Sequence, residues 1–306
     1  MPERENTISE NILKSRGFEM KTYIDSMRSM YINAIDQNSE LYDIANEMTK
    51  GFTQISTQSI LNDSRIIKIL RYAIAPTISQ MKFGQFFNIN SIDRFENNKL
   101  AEDSPRFREL EKIAPQIVDF VLKNLDYSRF IWIKEPKMLS PLAKEYAKKW
   151  TCSIAADQNA QTTYRNWRKQ QQELAISSML ISMGYTKSEF KGVVRKFTDI
   201  NIGEFTQEIK VKGRTIQKAD IVFRSKKTKK IVLLEAKAVG VEIDATKRIK
   251  ECCDKASDWN SNKELSNPTI ATVIAGFFTL TNIENLEASN IEVIWEHDLK
   301  SIKRIG

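Results

Sequence analysis

Histidine is almost absent from this 306-residue chain: His297 is the only one. That excludes Ser–His–Asp and Cys–His catalysis, HExxH zinc chemistry and most acid–base schemes centred on histidine. Cysteine is scarce and odd in number, with Cys152, Cys252 and Cys253 and no CxxC pair. No zinc cage is expected, and a reducing, cytoplasmic setting is. No run of about eighteen apolar residues is present, so neither a membrane span nor a membrane partner is predicted. The opening Met-Pro-Glu-Arg-Glu-Asn leads into no apolar stretch, and no secretory signal is expected. An enzyme built from this inventory works with carboxylates, lysines and a hard metal.

What is present is an ordinary globular composition, 41% hydrophobic and 28% charged, in a chain long enough for two domains. Lys and Arg number 47 against 39 Asp and Glu, a net charge of +8, and the excess is uneven. Residues 191–230 alone hold 12 basic and 4 acidic side chains. Such a stretch predicts a polyanionic partner such as nucleic acid, against the blander reading of a solvated surface.

Two regions are expected. Residues 1–150 read as helices broken by turns. Ile66, Ile67, Ile69, Leu70, Ala73 and Ile74 form an apolar stripe ending before Pro76. A second stripe, Leu110 to Leu125, contains Pro115, where a helix begins or kinks. Pro141 opens a long helix reaching toward Gln161. Residues 151–306 change character. A helix over Trp167–Met183 stops at Gly184, and extended segments follow at Glu204–Val211, Asp220–Arg224 and Ile231–Val239. Then come a helix from Asp244, a doubly buried strand within Thr269–Phe278 and a last strand at Ile291–Trp295. The expected class is α/β: a mixed sheet flanked by helices, with an N-terminal helical region.

The chemistry concentrates at Asp220 and at Glu235-Ala236-Lys237. Residues two apart in a strand share a face, so Glu235 and Lys237 point together. A charged pair closing Ile-Val-Leu-Leu is out of place in a buried strand unless a ligand binds there. Pairing Ile221–Arg224 with Ile231–Leu234 as a hairpin sets Asp220 opposite Glu235, with Cβ atoms roughly 4.5–5.5 Å apart. Two carboxylates so close repel unless a cation bridges them, and Mg²⁺ with oxygen ligands suits the site. Lys237 then assists the attacking water and neutralises phosphate charge. A plain surface salt bridge is the competing reading of the bare pattern.

The apolar strand, the hairpin register and the helix–strand order together resemble the PD-(D/E)xK nuclease fold, with Ala219 in place of the nominal proline. From about residue 20 onward the chain resembles the XamI-like type II restriction endonucleases. The resemblance rests on Leu70-Arg71-Tyr72-Ala73, Pro76-Thr77-Ile78-Ser79, Val118–Trp132, Gln172-Glu173 and Glu235-Ala236-Lys237. It continues through Thr246-Lys247-Arg248, Lys255–Trp259 and Trp295–Leu299. Gln172–Tyr185 and the stretch from Lys218 are also similar to the HindIII enzyme. The resemblance implies a homodimeric, Mg²⁺-dependent endonuclease that cuts both strands of duplex DNA at a short palindrome. A cognate DNA methyltransferase is expected in the same system, though not as a stable subunit.

On this reading Asp220 and Glu235 bind Mg²⁺, the Ala236 carbonyl adds a ligand, and Lys237 is catalytic. Glu173 is a candidate extra acid near the metal, competing with an ordinary helix glutamate. Arg214, Lys218, Lys247 and Arg248 are candidate DNA contacts. Trp167, His297, Cys252 and Cys253 are assigned to packing. Residues 151–306 form the nuclease core, and 1–150 serve dimerisation, a DNA clamp or both. A repair or resolving nuclease on the same fold, and an inactive DNA-binding relative, remain open alternatives.

Overall fold

The computed structural model describes residues 2–306, with side chains from residue 4 onward. Nine α-helices and seven strands occur among them: α1 (Pro2–Met48), α2 (Thr57–Asn62), α3 (Ile66–Ala73), α4 (Gln80–Phe86), α5 (Asp93–Glu96), α6 (Pro105–Asn124) and α7 (Pro141–Ser182) come first. Strands β1 (Thr186–Lys187), β2 (Val193–Val194), β3 (Glu204–Lys212), β4 (Ile216–Arg224) and β5 (Ile231–Val239) follow. Helix α8 (Glu242–Asn260), β6 (Thr269–Gly276), α9 (Leu280–Ala288) and β7 (Ile291–Trp295) complete the order. No helix among the described residues is long and apolar enough to cross a membrane.

The chain divides into two compact units: residues 27–163, and residues 1–26 together with 164–306. This differs from a division at 150. Both divisions of the chain fall inside unbroken helices, α1 and α7, so no linker composition marks them in the sequence. The two helices expected at 141–161 and 167–183 are one helix of 42 residues. No Pro or Gly interrupts it, and Gly184 takes over the left-handed conformation just beyond its end, at φ 80°.

The unit of residues 27–163 is helical around one apolar core. Ile66, Ile67, Ile69 and Leu70 of α3 pack with Leu110, Ala114, Ile117 and Val121 of α6. Helix α6 starts ten residues before Pro115, where the Ser104 hydroxyl accepts the Phe107 N–H at 3.1 Å. Pro115 sits on the exposed side, so the carbonyl it leaves unpaired four residues earlier faces water. Inside the core, Arg71 donates to buried Glu96 at 2.8 Å and to the Ile78 carbonyl at 2.7 Å.

The other unit is built on a seven-stranded mixed sheet in the order β1-β3-β4-β5-β6-β7, with β2 on β3. Strands β3, β4 and β5 form an antiparallel meander, and β5, β6 and β7 run parallel. Along β5, Ile231, Leu233 and Val239 pack with Ala245, Ile249, Cys252, Ala256 and Trp259 of α8. Val232, Leu234 and Ala236 pack on the other face with Ile176 and Leu180 of α7. Helices thus cover both faces, and β6 is buried along seven of its eight residues, as its unbroken apolar run predicts. The first turns of α1 belong to this unit. Ser15 accepts the Gly276 N–H at 2.8 Å, and Glu19 accepts from Arg168 at 2.8 Å.

Candidate active site

The predicted hairpin register is present: Ile221↔Leu234, Val222↔Leu233, Phe223↔Val232 and Arg224↔Ile231. It stops one step short of Asp220. The β3–β4 ladder breaks at the same level, pairing Gln207↔Ile221 and Ile209↔Ala219 but skipping Glu208 and Asp220. Glu208 has a φ of 54°, a left-handed conformation that non-glycine residues rarely adopt inside a strand. Ala219 and Val222 both pack on the α8 side, so the pleat alternation slips between them. This slip lets the Asp220 carboxylate leave the ladder and reach groups on both α7 and β5.

Asp220 is buried, and its Oδ2 accepts the Ala236 N–H at 2.8 Å. The same oxygen lies 3.7 Å from Lys237 Nζ, and Oδ1 lies 3.9 Å from Lys169 Nζ. Glu235 is 2% exposed. Its Oε2 accepts from Lys237 at 2.6 Å and its Oε1 from Lys255 at 2.8 Å. Glu235 and Lys237 therefore share a face as the strand period requires. Burial pulls the Lys237 pKa down, but the Glu235 and Asp220 charges outweigh it and hold the ammonium above its ordinary value.

A second group of carboxylates adjoins Asp220. One oxygen from each of Glu173, Glu208 and Asp220 lies within 4.8 Å of the other two. Lys169, one turn before Glu173 on α7, approaches all three, at 3.3 Å from Glu173, 2.9 Å from Glu208 and 3.9 Å from Asp220. Lys218 forms an ion pair with the other Glu208 oxygen. Glu173 is 8% exposed, and the Lys169 ammonium is the cation beside its Oε1. Burial pushes its pKa up, the Lys169 charge opposes this, and the Asp220 charge adds to it.

Every donor in this constellation is an oxygen, which suits a hard divalent cation rather than zinc or copper. Oxygens bound to one ion at about 2.3–2.6 Å lie no further apart than roughly 5 Å, a limit that the Glu173–Glu208–Asp220 group meets. Asp220 Oδ2 and Glu235 Oε2 likewise converge on a single cationic nitrogen, that of Lys237. The residues present fit a hard divalent cation held by oxygen ligands.

The structure brings together Asp220, Glu235, Lys237, Glu173 and Lys218 from the residues singled out in the sequence. Ala236 joins them through its N–H. Arg214 and Arg248 make their side-chain bonds away from this cluster. Arg214 is exposed at the β3–β4 hairpin and donates to Ser257 at 3.1 Å. That hairpin is held to α8 by Asp258, which accepts the Thr215 N–H at 3.1 Å; a Cβ on Gly213 would meet its carboxylate at 2.2 Å. Lys247 and Arg248 lie on the exposed side of α8, where Arg248 pairs with Glu251 at 3.0 Å. Trp167 is half-buried, and it is Arg168 beside it that is buried, held between Glu19 and Glu296.

Three members of the site are not evident in the sequence reading. Glu208 becomes visible by extending the same hairpin logic from β4–β5 to β3–β4, where it falls opposite Asp220. Lys169 precedes Glu173 by four residues on a helix, a spacing that brings side chains together. Lys255 has no local signal, because it reaches Glu235 across the packing of α8 on the sheet.

The family model for XamI restriction endonucleases matches residues 50–295. The chain belongs to that family. The match runs through helices α2–α6 as well as the sheet, so the helical segment is part of the family's common body rather than an appendage. It starts later than the resemblance from about residue 20 anticipates. A comparison with curated proteins found no match. Membership makes this XamI-family chain a type II restriction endonuclease, a nuclease whose substrate is DNA, carried on a mixed α/β fold.

Proposed function

We propose that this restriction endonuclease hydrolyses phosphodiester bonds in both strands of duplex DNA at a short palindrome, with Mg²⁺ as cofactor. It acts as a cytoplasmic homodimer within a restriction–modification system that includes a separate DNA methyltransferase. The observation that carries the reading is the convergence of Asp220 and Glu235 on Lys237 at the edge of the β4–β5 pairing. Asp220, Glu235 and the Ala236 carbonyl hold the ion, with Glu173 beside them. An Mg²⁺ ion held by these residues would supply Lewis-acid chemistry, favouring negative charge on the phosphate and lowering the pKa of water.

The chain's own residues do the rest. Lys237 orients the water and stabilises negative charge on the phosphate. The water oxygen attacks phosphorus in line and the 3′ oxygen leaves, giving a 5′-phosphate and a 3′-hydroxyl. Lys218, Arg214, Lys247 and Arg248 contact the backbone phosphates. One Asp–Glu–Lys cluster serves one strand, and the two strands of a palindrome are related by a two-fold axis, so two subunits present equivalent clusters.

The test is digestion of a sequenced plasmid with Mg²⁺, an EDTA control and end mapping. Discrete double-strand cuts at one palindrome with 5′-phosphate ends are expected, from a particle near twice 35.3 kDa in sedimentation. Cleavage confined to branched or damaged DNA would assign the chain to repair or resolution. Specific binding without cleavage would make it an inactive relative.

A further inference from the structure

Lys255 lies outside the Asp–Glu–Lys cluster, yet it makes two of the shortest bonds around it. Its ammonium donates to Glu235 Oε1 at 2.8 Å and to the Lys218 carbonyl at 2.7 Å, and lies 5.7 Å from the centre of the Trp259 ring. Trp259 and Glu235 are both buried. Lys255 therefore joins three elements: α8, on which it sits; β5, through Glu235; and β4, through a carbonyl two residues before Asp220.

Glu235 is gripped at both oxygens, and the two grips differ. Lys237 holds Oε2 from the same strand, and its Nζ also faces Asp220 at 3.7 Å. Lys255 holds Oε1 from the helix, with its position set by a backbone carbonyl and a buried indole. Asp220 and Glu235 would hold a divalent ion in the place that the Lys237 ammonium now occupies between them, and Lys237 would then be free to turn toward water and phosphate. The bond from Lys255 is then what keeps the carboxylate in place. Without it, the carboxylate is free to rotate about its last torsion, which is soft and broad.

We propose that Lys255 is a positioning residue for metal binding: it clamps Glu235 Oε1 against β4, so that Oε2 is presented toward Asp220 when Lys237 is released. The inference rests on the metal role proposed above for Glu235. Groups that hydrogen-bond to a ligating side chain change metal affinity or activity by about 10–100-fold when removed. The same range is expected here.

The experiment uses the full chain and reads Mn²⁺ binding by electron paramagnetic resonance without DNA, together with the Mg²⁺ dependence of plasmid cleavage. Lys255→Met keeps the stem on Trp259 and removes the donor. It should weaken Mn²⁺ binding by about 10–100-fold and raise the Mg²⁺ needed for half-maximal cleavage by a similar factor. The KM for DNA at saturating Mg²⁺ should stay at the parent value. Lys255→Arg, which restores a cationic donor, should recover most of the affinity. Parent-like Mn²⁺ affinity and Mg²⁺ dependence in a folded Lys255→Met protein would overturn the inference. If that variant does not fold, Lys255→Leu, which also lacks a donor, is read in the same way. Glu235→Gln, run alongside, separates the two ideas. If it binds Mn²⁺ as the parent does, the metal role of Glu235 fails and Lys255's role with it. If it loses Mn²⁺ while Lys255→Met does not, only the role of Lys255 fails.

Discussion

Replacing Asp220 by Ala and by Asn separates its structural role from its chemical one, because only Asn keeps an oxygen that can accept the Ala236 N–H. Oδ2 is the acceptor of the Ala236 N–H, a buried donor beyond the end of the β4–β5 ladder. Asp220→Ala leaves that N–H without its acceptor, at a cost of about 1–3 kcal/mol. With a urea m value of about 3 kcal/mol/M, the midpoint should fall by roughly 0.3–1 M. Asp220→Asn keeps an oxygen that accepts the same bond and removes only the charge, so its midpoint should stay near the parent's. Both variants should lose plasmid cleavage, since both lose the metal-binding carboxylate. The assays are urea unfolding followed by tryptophan fluorescence and Mg²⁺-dependent plasmid digestion. Equal stability of the two variants would refute the structural half of the reasoning. Cleavage by Asp220→Asn at the parent rate would refute the chemical half.

Burial pushes the Cys252 thiol up to about 12 and the Cys152 thiol up to about 11, so at pH 8 a thiol reagent should modify Cys253 alone in the native protein; three fast thiols would contradict this packing. Glu173 has a raised pKa when folded, so the folded state holds its proton more tightly than the unfolded chain does. Its favourable contribution is full below the ordinary carboxylate pKa and is lost as pH rises through the raised value. Glu173→Gln should therefore gain stability over the parent at pH 8 and lose that advantage near pH 4 in urea titrations. Replacing Lys247 and Arg248 together with Ala should lower the log–log salt slope of DNA binding by about two, one for each phosphate contact. An unchanged slope would place both side chains in solvent.

The sequence by itself determined the elements that carry the chemistry. The apolar quartet Ile231–Leu234 closed by Glu-Ala-Lys marks β5, and an uninterrupted apolar run marks β6. The matched quartets Ile221–Arg224 and Ile231–Leu234, joined by the short polar turn Ser225–Lys230, set the hairpin register, because the length of the turn fixes which residues meet. Glu235 and Lys237 share a face for the same local reason. The start of α6 was hidden, since Pro115 suggests a break and only its exposure shows that a helix tolerates it. The division between units was hidden too, inside two continuous helices. What the tertiary structure alone decided is who meets Asp220 and Glu235. The left-handed turn at Glu208 breaks the pleat, and the packing of α7 and α8 on opposite faces delivers Lys169 and Glu173 from one side and Lys255 from the other. Those contacts join residues twenty or more positions apart in the sequence. Local periodicity constrains only near neighbours; the long-range neighbours of a buried carboxylate are set by how whole elements stack.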